Sequence, residues 1–157
     1  MKTARWAYWL ATWGGAGLSP VAPGTVGALA AVAVAWLLVR YAGLPMEALA
    51  LLALLLFYPG VRASGRIERD LRREDPGFIV VDEVVGQWLA LSAARADVWQ
   101  DWLLALVLFR ALDISKPPPV RQLEKLPNGV GVMADDAAAG LCAMMLVVAY
   151  RWAVGLS

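Results

Sequence analysis

Five apolar runs in a short chain constrain this sequence more than any other feature. They cover roughly Thr25 to Val39, Met46 to Val61, Phe78 to Ala94, Val98 to Ile114 and Met133 to Val154. A helix needs about 20 residues to cross the hydrocarbon of a bilayer, so each run spans only with help from its flanks. Of the 157 residues, 61% are hydrophobic and 17% charged. A soluble domain carries about 25% charged residues, so the deficit favours a membrane setting. The alternative for runs this short is the core of a soluble all-α domain. Tryptophan placement argues against it: Trp36, Trp99, Trp102 and Trp152 would gather near one membrane interface, where amphipathic rings settle. The expected fold is all-α: a polytopic membrane helical bundle, one domain over residues 1–157, with about five transmembrane helices. The stretch "WAYWLATW" at residues 6 to 13 repeats Trp at helical spacing. It reads as an interfacial or re-entrant N-terminal helix.

The connections assign the sides. Gly60 to Gly77 carries Arg62, Arg66, Arg69, Arg72 and Arg73, Ser115 to Val132 carries Lys116, Arg121 and Lys125, and the N-terminus carries Lys2 and Arg5. The intervening connections hold only Arg95. Excess Lys and Arg mark the cytoplasmic side, which puts the N-terminus inside and, with five spans, the C-terminus outside. The five-arginine segment suits contact with anionic lipid better than catalysis.

Several functions drop out. A net charge of +1 provides no basic field for nucleic acid. The single cysteine, Cys142, lies in an apolar run and reads as a structural thiol. No small-residue cleavage pattern of a removable signal follows a compact apolar core near the N-terminus. Histidine is absent, so any chemistry must use carboxylates, Lys, Arg, hydroxyls, backbone amides or a metal.

The remaining polar residues cluster at the predicted cytoplasmic ends. Asp82 and Glu83 open the third run, Arg110 and Asp113 close the fourth with Lys116 behind them, and Asp135 and Asp136 open the fifth. The glycine-rich stretch from Gly14 to Gly27 leads into the first. Carboxylates near a bilayer are costly and default to functional roles. Five on one rim would repel one another without a cation, and an oxygen-only site suits hard divalent ions, Mg²⁺ first. Arg110 presents a planar fork for phosphate and Lys116 a point charge. Gly24 and Gly131 allow backbone to approach a ligand. Each piece also has a structural reading. The acidic pairs could be first-turn acids on helix dipoles, Arg110 with Asp113 an ion pair, Thr25 a cap, and Gly86 and Gly140 helix-packing contacts. Coincidence on one side favours a site.

At these residues the sequence resembles the phosphatidylglycerophosphatase A family. The resemblance runs through "GGAGLSPVAPGTVGAL", "VVDEVVGQWLAL", "LFRALDISKPPPVRQLE" and "NGVGVMADDAAAG", in family order from Gly14 to Gly140. A departure falls at Asn128, where some relatives place a small residue or glycine. The resemblance implies an Mg²⁺-dependent enzyme of the bacterial cytoplasmic (inner) membrane, its site facing the cytoplasm. Such an enzyme removes the terminal phosphate of phosphatidylglycerophosphate and serves phosphatidylglycerol and cardiolipin synthesis. On this reading Asp82, Glu83, Asp113 and Asp136 hold the metal in some subset. Arg110 and Lys116 meet the phosphate with Gly24, Thr25 and Gly131, and Asp135 or Glu83 serves the attacking water. The lipid substrate and the surrounding membrane lipids are the expected partners.

The sequence independently rejects other phosphatase routes. No Arg stands six residues after Cys142, no aspartyl-nucleophile D-x-D-x-[TV] motif occurs, and no phosphohistidine can form. Attack by water, assisted by a bound metal, remains. The spaced-aspartate signature of lipid phosphotransferases is missing. The rival from another class is a divalent-cation transporter or channel, which would need polar residues through the full membrane depth. A purely structural subunit would need no acidic cluster.

Overall fold

The computed structural model describes residues 4–155, so Lys2 lies outside the described residues. Every regular element among them is helical: α1 (Arg5–Ala11), α2 (Pro23–Ala42), α3 (Ala48–Leu71), α4 (Val81–Leu91), α5 (Trp99–Ser115), α6 (Val120–Leu123) and α7 (Val130–Ala153), with a 3-10 turn at Ala16–Leu18. α2, α3 and α7 are long and apolar enough to cross a membrane. At 20 residues, α2 extends about 30 Å, the thickness of the hydrocarbon layer. It begins on Pro23, whose missing N–H costs nothing in a first turn, and stops at Gly43, in the left-handed region at φ 67°.

Two of the five expected spans differ. α5 has 17 residues. α4 has 11, about 16 Å of helix, and all of them are buried. It packs against α2, α3, α5 and α7 and so forms the centre of the bundle. An apolar run alone does not distinguish a lipid-facing helix from one surrounded by protein. The second run also extends further than its hydropathy suggests. α3 continues through Pro59 and carries Arg62, Arg66 and Arg69 on helix, where the sequence had pointed to a connection. Gly60 and Gly65 fall inside it because neighbours press there. A Cβ at Gly60 would strike the Met133 side chain, and one at Gly65 would strike the carbonyl of Asn128.

The bundle is built from small residues inside and large apolar ones outside. Ala28, Ala31, Ala35, Ala53, Ala63, Ala105, Ala139 and Ala143 are fully buried, while Leu51, Leu54, Leu55, Val107, Met145 and Leu146 face outward. Close approach through small side chains is how helices gain contact where lipid removes the hydrophobic drive. Gly86 and Gly140 show it most sharply: a Cβ on Gly140 would strike the Gly86 carbonyl, and one on Gly86 would meet Phe109 and the Asp136 carbonyl. The Trp88 indole N–H donates to the Ala31 carbonyl at 3.0 Å and ties α4 to α2.

α1 is shorter than the tryptophan spacing suggests. Trp6 and Trp9 are more than half exposed on it, whereas Trp13 lies past its end at φ 48° and meets Trp88 edge-on. At the end of the bundle away from the acids, Trp36, Trp99 and Trp102 line one groove of about 480 Å³. There Arg95 grips the fully buried Asp101 at 2.7 and 3.0 Å.

Candidate active site

The local chain sets the acidic residues one by one. Val80 donates its N–H to the Ala11 carbonyl at 2.8 Å, which fixes the approach to α4. Asp82 and Glu83 then sit in the first turn, and Asp82 Oδ1 accepts the Glu83 N–H at 2.9 Å. Asp135 and Asp136 repeat the device, Asp135 Oδ1 accepting the Asp136 N–H at 3.0 Å. They do not open their helix, however. α7 starts at Val130 behind Gly129 at φ 75°, so both acids lie beyond its first turn. Stabilising a helix dipole, which acts over the first turn, therefore does not account for this pair.

The folded chain brings the five predicted carboxylates together. Asp82, Glu83, Asp113, Asp135 and Asp136 all line one cleft of about 270 Å³, with Gly24, Asp75 and Lys116. The lining comes from the start of α2, the segment after α3, the start of α4, the end of α5 and the early part of α7. The helices α2, α3, α4, α5 and α7 thus alternate in direction and meet at one end.

Charge pairs organise the cleft. Arg110 Nη1 donates to Glu83 Oε2 and to Asp113 Oδ2, the latter at 2.6 Å across the i, i+3 spacing. Lys116 Nζ donates to Asp135 Oδ2 and to Glu124 Oε1, both at 2.7 Å. Partial burial alone would lower the Lys116 pKa. Its hydrogen bonds to Asp135 and Glu124 outweigh that and hold the ammonium above the ordinary lysine value.

Gly24 is needed where it stands. A Cβ there would press on Glu83 Oε1 and come within 3.3 Å of Arg110 Nη2, so glycine lets α2 close over this pair without displacing the Glu83 carboxylate. Thr25 follows it in the first turn of α2, half-buried. Gly131 is placed differently. It is buried against the Glu124 and Leu126 carbonyls, and its N–H donates to Leu126 O at 3.1 Å. That donor is engaged within the connection from α6 to α7. Asn128 takes φ 62°, a conformation that asparagine tolerates better than other residues with side chains.

Glu83, Asp113 and Asp136 each direct a carboxylate oxygen to a common point, these atoms lying within 4.8 Å of one another. Asp82 lines the same cleft but falls outside that group. Asp136 Oδ2 is buried and has no hydrogen-bond partner among the described residues. A buried carboxylate oxygen left bare costs free energy that a cation would recover. Three converging carboxylates with no nitrogen or sulfur donor among them suit a hard ion, so the residues present fit a divalent metal.

Sequence reasoning missed three polar residues in this part of the bundle. Glu124 is the second partner of Lys116, and no spacing rule links residues eight apart across a break between helices. Asp75 follows α3 in "REDPG", which reads as a turn. Gln87, one turn beyond Glu83 on α4, is fully buried with neither amide atom paired. Its only sequence signal was a polar residue inside an apolar run.

A helical bundle with apolar outer flanks and an acid-lined cleft at one end defines a membrane protein whose cleft carries carboxylates that could hold a metal. The chain belongs to the phosphatidylglycerophosphatase A family, a family of lipid phosphatases, whose model matches residues 9–151. It is 36% identical to phosphatidylglycerophosphatase A of Escherichia coli, over 90% of this chain and 83% of that one. It is 38% identical to the Haemophilus influenzae protein of the same name, over 88% and 84%. A Bacteroides thetaiotaomicron relative, named as a candidate phosphatidylinositol-3-phosphatase, is 42% identical over 90% of this chain and 91% of its own length. No solved structure matches the chain.

Proposed function

We propose that this protein hydrolyses the terminal phosphate of phosphatidylglycerophosphate to phosphatidylglycerol and inorganic phosphate, with Mg²⁺ as cofactor. The observation that carries the reading is the convergence of Glu83, Asp113 and Asp136 beside Arg110 in a chain of this family. Magnesium held by these three, with Asp82 alongside, would supply Lewis acidity and charge neutralisation at the phosphate oxygens. The chain's own groups do the rest. Arg110, held against Glu83 and Asp113 beside the cleft, and Lys116 in its wall both supply positive charge that stabilises the negative charge developing at the phosphate. Asp135 orients the attacking water and takes its proton. The water oxygen bonds to phosphorus as the bond from phosphorus to the glycerol oxygen breaks.

The cleft faces the cytoplasm in this proposal. Arg62, Arg66, Arg69, Arg72, Arg73, Arg121 and Lys125 supply the positive charge near that end. The five alternating elements α2, α3, α4, α5 and α7 make the five passages. α4 can be short because protein, not lipid, surrounds it.

The names of the relatives raise a second substrate, phosphatidylinositol 3-phosphate. The two lipids share a pattern. In each, a phosphomonoester and a phosphodiester sit on carbons separated by one hydroxyl-bearing carbon. The test is phosphate release by purified protein in detergent from phosphatidylglycerophosphate, phosphatidylinositol 3-phosphate and phosphatidic acid, with Mg²⁺ and with EDTA. Release that is fastest from phosphatidylglycerophosphate and abolished by EDTA is expected. Preference for the inositol lipid would reassign the substrate. No release from any of them would send the reading back to a cation transporter.

A further inference from the structure

A second cavity, of about 520 Å³, adjoins the acidic cleft and shares Asp75, Val132 and Asp135 with it. The last turn of α3, the segment after it, and the connection from α6 to α7 form its other walls. Arg69, Arg73 and Lys125 line it with Glu68, Glu74 and Glu124.

The charges around this cavity are unevenly engaged. Glu124 and Asp135 share one cation, Lys116, while Glu68, whose Oε1 accepts the Asp75 N–H at 3.2 Å, Glu74 and Asp75 form no ion pair among the described residues. Arg66, the neighbouring arginine on α3, is paired with Asp70 at 3.0 Å. Among the described residues, Arg69, Arg73 and Lys125 form no ion pair. Three cations outside any ion pair thus border, together with three unpaired acids, a space that shares a wall with the candidate phosphate site. The smaller cleft, at about 270 Å³, has room for one phosphate and its counter-charges, and the cavity across the shared wall is the adjoining space for the rest of a headgroup.

The geometry points to this second cavity as the subsite for the inner phosphodiester of the substrate, with Arg73 and Lys125 as its principal contacts. This rests on the phosphatase reading above and deepens it. A lipid carrying a phosphomonoester and a phosphodiester on a short polyol would place one phosphate in each cavity, its middle hydroxyl passing Asp75. Phosphatidic acid, which has a single phosphate, would fill the cleft alone. The protein would therefore select doubly phosphorylated headgroups by charge spacing, through residues that never touch the reacting phosphorus.

The same cations could instead attract any anionic surface, and the experiment separates the two. Steady-state kinetics are measured in neutral-detergent micelles on phosphatidylglycerophosphate and on phosphatidic acid of the same acyl chains. Wild type is compared with the double variant Arg73→Gln, Lys125→Gln. The subsite predicts that kcat/KM for phosphatidylglycerophosphate falls about tenfold or more, mainly through KM, with phosphatidic acid unchanged. Equal losses on both lipids would mean general surface attraction and overturn the assignment, as would no loss on either. A second readout needs no turnover: calorimetric binding of dihexanoyl-phosphatidylglycerol, which keeps the phosphodiester but lacks the terminal phosphate. It should weaken about tenfold in the double variant. Should wild type hydrolyse no lipid phosphate, the phosphatase reading falls and this binding comparison alone decides the subsite.

Discussion

Arg110 meets two acids at once, Glu83 from α4 and Asp113 from its own helix. Removing either acid therefore does two things: it takes a ligand from the metal group and leaves the guanidinium half-paired. Asp113→Asn keeps shape and hydrogen-bonding capacity while removing charge, and Mg²⁺-dependent turnover should fall by about 10²–10³ or more. Full activity in this variant, measured by phosphate release, would contradict the site. Lys116→Met should cost a comparable amount, about 2–4 kcal/mol in the barrier. The same variant has a defined pH signature. A lysine whose folded pKa is raised contributes stability fully below its unfolded value of about 10.4, and loses it as pH rises through the folded value. The difference in thermal stability between wild type and Lys116→Met should thus be constant from about pH 7 to pH 9 and shrink only in stronger alkali. The acids themselves were legible in the sequence because all of them fell at one predicted side. Glu124 and Gln87 were not, since one acts across the connection between two helices and the other looked like an interruption of an apolar run.

At the scale of the element, α4 and α7 meet through bare backbone at Gly86 and Gly140. Gly140→Ala should cost about 1–3 kcal/mol through overpacking, read as a lower midpoint of thermal unfolding in detergent. An unchanged midpoint would mean the helices separate without strain. Asp101→Ala, at the opposite end of the bundle, removes the buried partner of Arg95, which is itself about a quarter exposed. A lower midpoint of thermal unfolding is expected, a smaller loss than for a fully buried pair because water reaches the arginine, with kcat unchanged. Element type was read correctly from hydropathy, and element limits less so. Pro59, Gly60 and Gly65 look like the end of a helix. α3 nevertheless continues past them, because the glycines make room for Met133 and for the backbone at Asn128. The eleven residues of α4 look like a membrane span because burial in protein and burial in lipid select the same side chains.

For the whole molecule, the polar groups are turned inward and gathered at one end, and the flanks are left to lipid. That polarity predicts an orientation. In a Cys142→Ala background, single cysteines at Gln122, near the cleft end, and at Ala96, near the far end, can be probed on intact cells with a membrane-impermeant maleimide. Ala96→Cys should label and Gln122→Cys should not; the reverse pattern would place the cleft outside the cell.

The central claim is that Glu83, Asp113 and Asp136 hold a divalent cation together, and Mn²⁺ binding followed by electron paramagnetic resonance tests it most directly. Wild-type protein in detergent should bind Mn²⁺, with Mg²⁺ competing, and Glu83→Gln and Asp136→Asn should each lose that binding while keeping the wild-type helical circular dichroism. Binding that persists undiminished in both folded variants would contradict the account.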